Sequence, residues 1–127
     1  LEKDKVDDKF FYDSDKYMYS FLKKSMKNKH TVYQWRRKYV RENKSNLCST
    51  LTANMGTGGH NVPLIIDDSG RFRKLTPREC FNLQGFNKNF NIPKDVSNGQ
   101  LYKQAGNAVT VDLIYVLAKL IRKALDS

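Results

Sequence analysis

The sequence predicts an α+β fold: a small, mainly antiparallel β-sheet with short helices, closed by a longer amphipathic helix at the carboxyl end. Three observations predict it. Residues Thr31–Val40 alternate in the manner of a half-buried strand, and Val62–Ile66 and Arg71–Leu75 have strand character on either side of residues 67–70. The segment Asp67-Asp68-Ser69-Gly70 is a turn that lets the flanking strands pair as a hairpin. From Val111 to Leu125, Leu113, Val116, Leu117, Leu120, Ile121 and Ala124 recur at helical spacing. The 127 residues suffice for one modest core and not for two.

In chain order, residues 1–9 are charged and read as a connector, and Phe10-Phe11-Tyr12 starts a short strand. Asp13 or Ser14 is placed to cap a helix reaching about Lys27, with Met18, Phe21, Leu22, Ser25 and Met26 at helical spacing. A strand over residues 31–40 puts Val32, Gln34 and Arg36 on one face and Tyr33, Trp35, Arg37 and Tyr39 on the other. Arg41 to Ser49 reads as a loop. Thr50 to Met55 alternates like a strand and leads into Gly56-Thr57-Gly58-Gly59-His60-Asn61, after which Val62–Ile66 and Arg71–Leu75 form the hairpin. Thr76-Pro77-Arg78-Glu79 is a capping box with Pro at the first helical position, so a helix runs to about Gln84 and stops at Gly85. A weaker box at Ser97 opens a helix through Gln104, which Gly106-Asn107 should break before the last helix.

Charge narrows the partners. With 23 Lys+Arg against 13 Asp+Glu the formal charge is +10, which suits a polyanion, and nucleic acid is the commonest one. A membrane span is excluded, because the most apolar stretch, Val109–Ile121, is short and broken by Asp112 and Lys119. The charged amino terminus holds no secretory segment, and Leu1 in place of an initiator Met reads as an excised piece. Cys48 and Cys80 read as reduced thiols of a cytoplasmic protein, and with His30 and His60 they lack metal-ligand spacing. Cys80 reads as a small core residue. Neither a phosphate-binding Gly-Lys-Ser/Thr loop nor a Gly-x-Ser-x-Gly elbow is present.

Two features remain as candidate binding chemistry. Tyr33 to Arg41 carries four cations and three aromatics within nine residues. Arg forks read guanine in a major groove, and Gln reads adenine or fills a gap in a base stack. The same pattern equally describes an amphipathic strand with Trp35 and Tyr39 in a core and its cations solvated. The Gly56–Asn61 loop lets backbone amides approach a nucleic acid closely, although an ordinary hairpin loop would look similar. These features alone admit a non-enzymatic nucleic-acid-binding module stacking bases on Tyr33, Trp35 and Tyr39, or a structural protein whose charge is incidental.

Longer blocks are more specific. Arg73-Lys74-Leu75-Thr76-Pro77-Arg78-Glu79-Cys80 followed by Leu83-Gln84-Gly85-Phe86 resembles the ninth conserved motif of the DNA (cytosine-5)-methyltransferases. Tyr102-Lys103-Gln104-Ala105-Gly106-Asn107-Ala108-Val109 resembles their tenth. Thr50-Leu51-Thr52 before a glycine-bearing loop resembles the Thr-Leu element of their target-recognition region, with Ser49 where relatives often carry Pro. The three blocks span residues 31–125 in the family's order, and residues 1–30 match only by position.

The resemblance implies a division of labour. In the family a Rossmann-like large domain binds S-adenosylmethionine and holds a Pro-Cys nucleophile, a small domain recognises the target, and double-stranded DNA lies between. This chain contains no Pro-Cys, Glu-Asn-Val or Phe-x-Gly-x-Gly, so those parts are expected in a missing amino-terminal catalytic domain, and the chain alone should not catalyse methyl transfer. The expected organisation is a target-recognition region over 1–75, the ninth-motif helix and its connection over 76–106, and the tenth motif with the last helix over 107–127. That helix is expected to pack on the absent large domain. Asn107, Ala108 and Val109 are the expected cofactor-binding edge. Gln34, Arg36, Arg37 and Arg41 form one expected DNA-contacting element, with Gln34 and Arg37 first for base readout. Thr50, Leu51, Gly56, Thr57, Gly58 and Gly59 form the other. No catalytic residue and no metal site is expected.

Overall fold

The computed structural model describes residues 6–57 and 61–127. Its five strands are β1 (Phe11–Tyr12), β2 (Tyr33–Arg36), β3 (Tyr39–Glu42), β4 (Leu64–Ile66) and β5 (Phe72–Lys74), and its helices are α1 (Tyr19–Ser25), α2 (Pro77–Leu83), α3 (Asn98–Asn107) and α4 (Val111–Leu125). The strands form one antiparallel sheet in the order β1-β5-β4-β2-β3, which is the α+β architecture expected.

Strand alternation divides the core into two layers. Tyr33, Trp35, Leu64 and Phe72 face α1 and pack with Met18, Leu22 and Met26. Val62, Ile65 and Leu75 serve the other side, where Leu51, Met55, Cys80, Phe81, Leu101, Tyr102 and Ala105 bury against them. The β4–β5 turn is held by Asp67, whose Oδ1 accepts from the Ser69 and Arg71 amides at 3.0 and 2.9 Å, and it closes at Gly70 with φ +83°.

Helix α2 follows its local code closely. The Thr76 hydroxyl accepts from the Glu79 amide at 3.2 Å, and the Glu79 carboxylate accepts from the Thr76 amide at 2.9 Å. At the far end Gly85 has φ +84°, and the Phe86 amide donates to the Phe81 carbonyl at 3.1 Å, a Schellman closure with the two rings in edge contact. Glu79 also receives both Arg73 guanidinium nitrogens, at 2.7 and 2.8 Å, in a pair almost fully removed from solvent. The ninth-motif block is therefore a brace between sheet and helix.

Several expected elements came out differently. The first helix does not run from Asp13 to Lys27. The Lys27 and Asn28 amides bond the Tyr33 hydroxyl, at 3.2 and 2.8 Å, and so leave the helix, while residues 13–19 turn through Asp13 and Lys16 carbonyl bonds. The strand over 31–40 is a hairpin that reverses at Arg37-Lys38, because β3 then pairs with β2 over four residue pairs. Arg37 takes φ +36° there, and no Asn-Gly or Asp-Gly announces the reversal. Thr50–Met55 is not a strand but a coil with turns: the Met55 amide donates to the Thr52 carbonyl at 3.0 Å and the Thr57 amide to the Asn54 carbonyl at 3.1 Å, so the backbone groups bond locally, while Leu51 and Met55 enter the core. Helix α3 is not broken at Gly106-Asn107 but runs through both.

Helix α4 has the bounds expected, yet none of its residues is buried. Leu113, Val116, Leu120 and Ile121 are 53–60% exposed, so a continuous apolar stripe lies open. Among the described residues, no helix is long and apolar enough to cross a membrane.

Candidate functional site

Three recesses lie along the elements singled out by the sequence. The first sits by the β2–β3 hairpin tip, a cavity of about 460 Å³ lined by Tyr17, Met18, Trp35, Arg37, Thr57 and Asn61. It brings Arg37 on the hairpin and Thr57 at the start of the glycine loop to one opening. Arg36 and Arg41 are exposed along the same hairpin. Tyr17, in the same lining, is 81% exposed.

The other expected contact residues are placed less uniformly. Gln34 is 6% exposed and on the strand face opposite Trp35, so it is not displayed beside Arg37. Leu51 is a core residue, and Gly56 packs on α3, where an added Cβ would lie 2.8 Å from the Gly99 carbonyl and the Tyr102 Cβ. The missing side chain at Gly56 therefore serves packing within the chain. Thr50 is exposed; Gly58 and Gly59, with His60, lie outside the described residues. Tyr33 and Trp35 are buried at 0% and 7%, so two of the three stacking platforms of the non-enzymatic reading belong to the core and only Tyr39 is open.

A second recess, about 470 Å³, runs between Thr50-Leu51 and the tenth-motif block, with Leu83, Gln84, Gly106, Ala108, Val109 and Thr110 in its walls. Asn107 and Val109 are exposed beside it. Two residues not anticipated from sequence create this edge. Gln84 donates its amide to the Ala105 and Ala108 carbonyls at 3.0 and 3.2 Å, accepts from the Thr110 hydroxyl at 3.1 Å, and accepts on its backbone carbonyl from the Val111 amide at 2.8 Å. One side chain thus clamps the α2 end to the α3–α4 junction. Gly106 lets α3 lie directly on the Thr52–Ala53 backbone, where any Cβ would overlap the Thr52 carbonyl. The only local sign of either was a long amide and a glycine at helix ends.

The remaining chemistry is structural. Burial pushes the Cys80 thiol well above its ordinary range, and the side chain has 0% exposure, so it is no nucleophile. Burial likewise raises the Tyr102 phenol, which donates to the Leu75 carbonyl at 2.6 Å and pins α3 to the end of β5. Cys48 is raised for the same reason. Among the described residues no three His, Cys, Asp or Glu side chains gather as a metal site.

Comparison with known proteins relates the chain to methyltransferases. A 58% identity over 123 residues relates the chain to the type II methyltransferase M.Bsp6I of Bacillus sp. (strain RFL6), covering 96% of this chain and 38% of that protein. The type II methyltransferase M.SsoII of Shigella sonnei is 43% identical over 79 residues, 62% of this chain and 20% of its own. The DNA-cytosine methyltransferase of Escherichia coli (strain K12) is 41% identical over 71 residues, 53% of this chain and 15% of its own. The chain thus spans from about a seventh to under two fifths of these relatives' lengths. No solved structure matches it. With its family model matched over residues 1–123, this chain belongs to the C-5 cytosine-specific DNA methylases.

Proposed function

We propose that the chain is the DNA-recognition portion of a DNA (cytosine-5)-methyltransferase, probing duplex DNA for a specific sequence so that a catalytic domain can methylate carbon 5 of a cytosine. The observation that carries this reading is the shared recess of Arg37 and Thr57. It joins two loops, far apart in sequence, into one basic and aromatic surface on a chain of net charge +10. The type II names of relatives favour a restriction-modification enzyme acting in the cytoplasm.

In this reading residues 1–75 recognise the target, 76–106 brace them, and 107–127 belong to the cofactor-binding domain. The open apolar stripe of α4 supports a covering partner, which we take to be the Rossmann-like domain of the same enzyme. S-adenosylmethionine fits the tenth-motif edge in kind: the exposed Asn107 amide offers hydrogen bonds, and Val109, 55% exposed, offers an apolar contact. When bound, that cofactor supplies the methyl group. The residues of this chain hold one edge of it and present the DNA, while the nucleophile belongs to the catalytic domain, so the chain alone is inactive.

The test is Arg37→Ala in the whole methyltransferase, read as binding to cognate duplexes carrying single base-pair changes. Specific binding should weaken by about 1–3 kcal/mol with discrimination relaxed at one base pair. Unchanged affinity and unchanged discrimination would remove the hairpin tip from the DNA interface.

A further inference from the structure

The root of the β2–β3 hairpin holds a third recess, of about 380 Å³, lined by Arg41, Glu42, Asn43, Lys44, Leu47, Cys48 and Ser49. It contains a buried polar atom without a hydrogen-bond partner, Asn43 Nδ2, and beside it the Ser49 hydroxyl, which faces the Cys48 thiol. Asn43 is 8% exposed, so its amide is held rigidly within the fold. Its Oδ1 faces the Arg41 guanidinium at 3.5 Å, and its backbone is fixed by the Val32 carbonyl at 2.9 Å and the Thr31 hydroxyl at 3.0 Å. That arrangement leaves Nδ2 as the unused end of the amide, a donor awaiting an acceptor.

The other polar groups of the recess match it in kind. Arg41 and Lys44 bring positive charge, and the Ser49 hydroxyl is a further donor. Glu42 supplies the one carboxylate, but it sits opposite Tyr33 on the other face of the hairpin, where its Oε1 accepts from Asn28 Nδ2 at 3.4 Å. Two cations and two short neutral donors around one opening, with the carboxylate turned away, suit an oxyanion with several acceptor oxygens. They do not suit a base edge, which alternates donors and acceptors.

We propose that this recess binds one backbone phosphodiester of the DNA, with Arg41, Asn43, Lys44 and Ser49 as its ligands. The two ends of the hairpin then do different work. The tip, with Arg37, meets the bases, and the root holds the strand in register, since phosphate contacts position a protein without carrying sequence information. The assignment rests on the DNA-recognition reading given above.

The experiment uses the whole methyltransferase with Lys44→Gln, Ser49→Ala and Asn43→Asp, titrated against cognate and unrelated duplexes at several salt concentrations. Lys44→Gln should weaken both duplexes by the same factor and lower the salt slope by about one. Ser49→Ala should weaken both equally with the slope unchanged. Asn43→Asp, which keeps the shape and places a carboxylate against the phosphate, should weaken both more than Ser49→Ala does. A duplex with a neutral methylphosphonate at one position should bind wild type less well, and at that position Lys44→Gln should cause no further loss. A change in base preference, or an unaltered slope in Lys44→Gln, overturns the phosphate site while leaving DNA recognition standing. Lys44→Gln lies on the surface, so its result decides the matter even if Asn43→Asp fails to fold. Failure of the unaltered enzyme to bind DNA overturns the parent reading itself.

Discussion

Replacing Gly106 by Ala sets two effects of opposite sign against each other. Gly106 lies inside α3 and is not among the positive-φ glycines, so helix propensity alone predicts a gain of about 1 kcal/mol. The tertiary structure predicts the reverse. The new Cβ would overlap the Thr52 carbonyl and sit 2.6 Å from the Ala53 nitrogen, and backbone atoms cannot rotate aside as a side-chain end can. Overpacking of this kind costs about 1–3 kcal/mol, and a contact with rigid backbone belongs at the upper end. After the propensity gain is returned, a net loss of about 2 kcal/mol remains. Gly99→Ala is the control: its Cβ would meet nothing closer than 3.9 Å, so propensity should leave the protein unharmed or slightly more stable. Urea unfolding of the two variants beside wild type reads the difference as shifts in midpoint at constant slope. If Gly106→Ala stabilises the protein as Gly99→Ala does, the close approach of α3 to residues 52–53 is wrong, and with it the placement of the tenth-motif edge.

Four further outcomes follow from the geometry. Arg73→Met leaves the Glu79 carboxylate without its cation in a site only 2% exposed and should cost about 3–5 kcal/mol, whereas adding Glu79→Gln, which removes the charge but keeps the cap to the Thr76 amide, should restore part of it; equal instability of single and double variants would deny the pair its role. Gln84→Leu removes the clamp on the α3–α4 junction and in the whole enzyme should weaken S-adenosylmethionine binding without altering sequence preference, measured by calorimetry and by cleavage protection on variant sites. Cys80 should resist a thiol reagent in the folded chain while Cys48 reacts slowly, and similar rates for both would contradict the burial described. Because folding raises the Cys80 thiol above its ordinary 9.0, only the unfolded chain ionises just above that pH; stability should therefore fall as pH rises past about 9, and Cys80→Ala should flatten that slope.

Features whose cause is local were legible in the residues alone. The Thr76–Glu79 box, the left-handed glycine after α2, the Asp67–Gly70 turn and the period of α4 each need only a few adjacent residues, so a short window contains the whole physical argument. The family motifs were legible for the same reason. Tertiary structure alone decided the rest. Gly106 meets Thr52, Gln84 meets Ala105 and Ala108, and Arg37 shares a recess with Thr57, each pair separated by at least twenty residues. The hairpin reversal at Arg37-Lys38, the burial of Gln34 and the inward coil at Leu51–Met55 were likewise set by which neighbours the sheet and α3 supplied. Alternation along a strand says that two faces exist, but only the packing partners decide which face meets water and which meets the core.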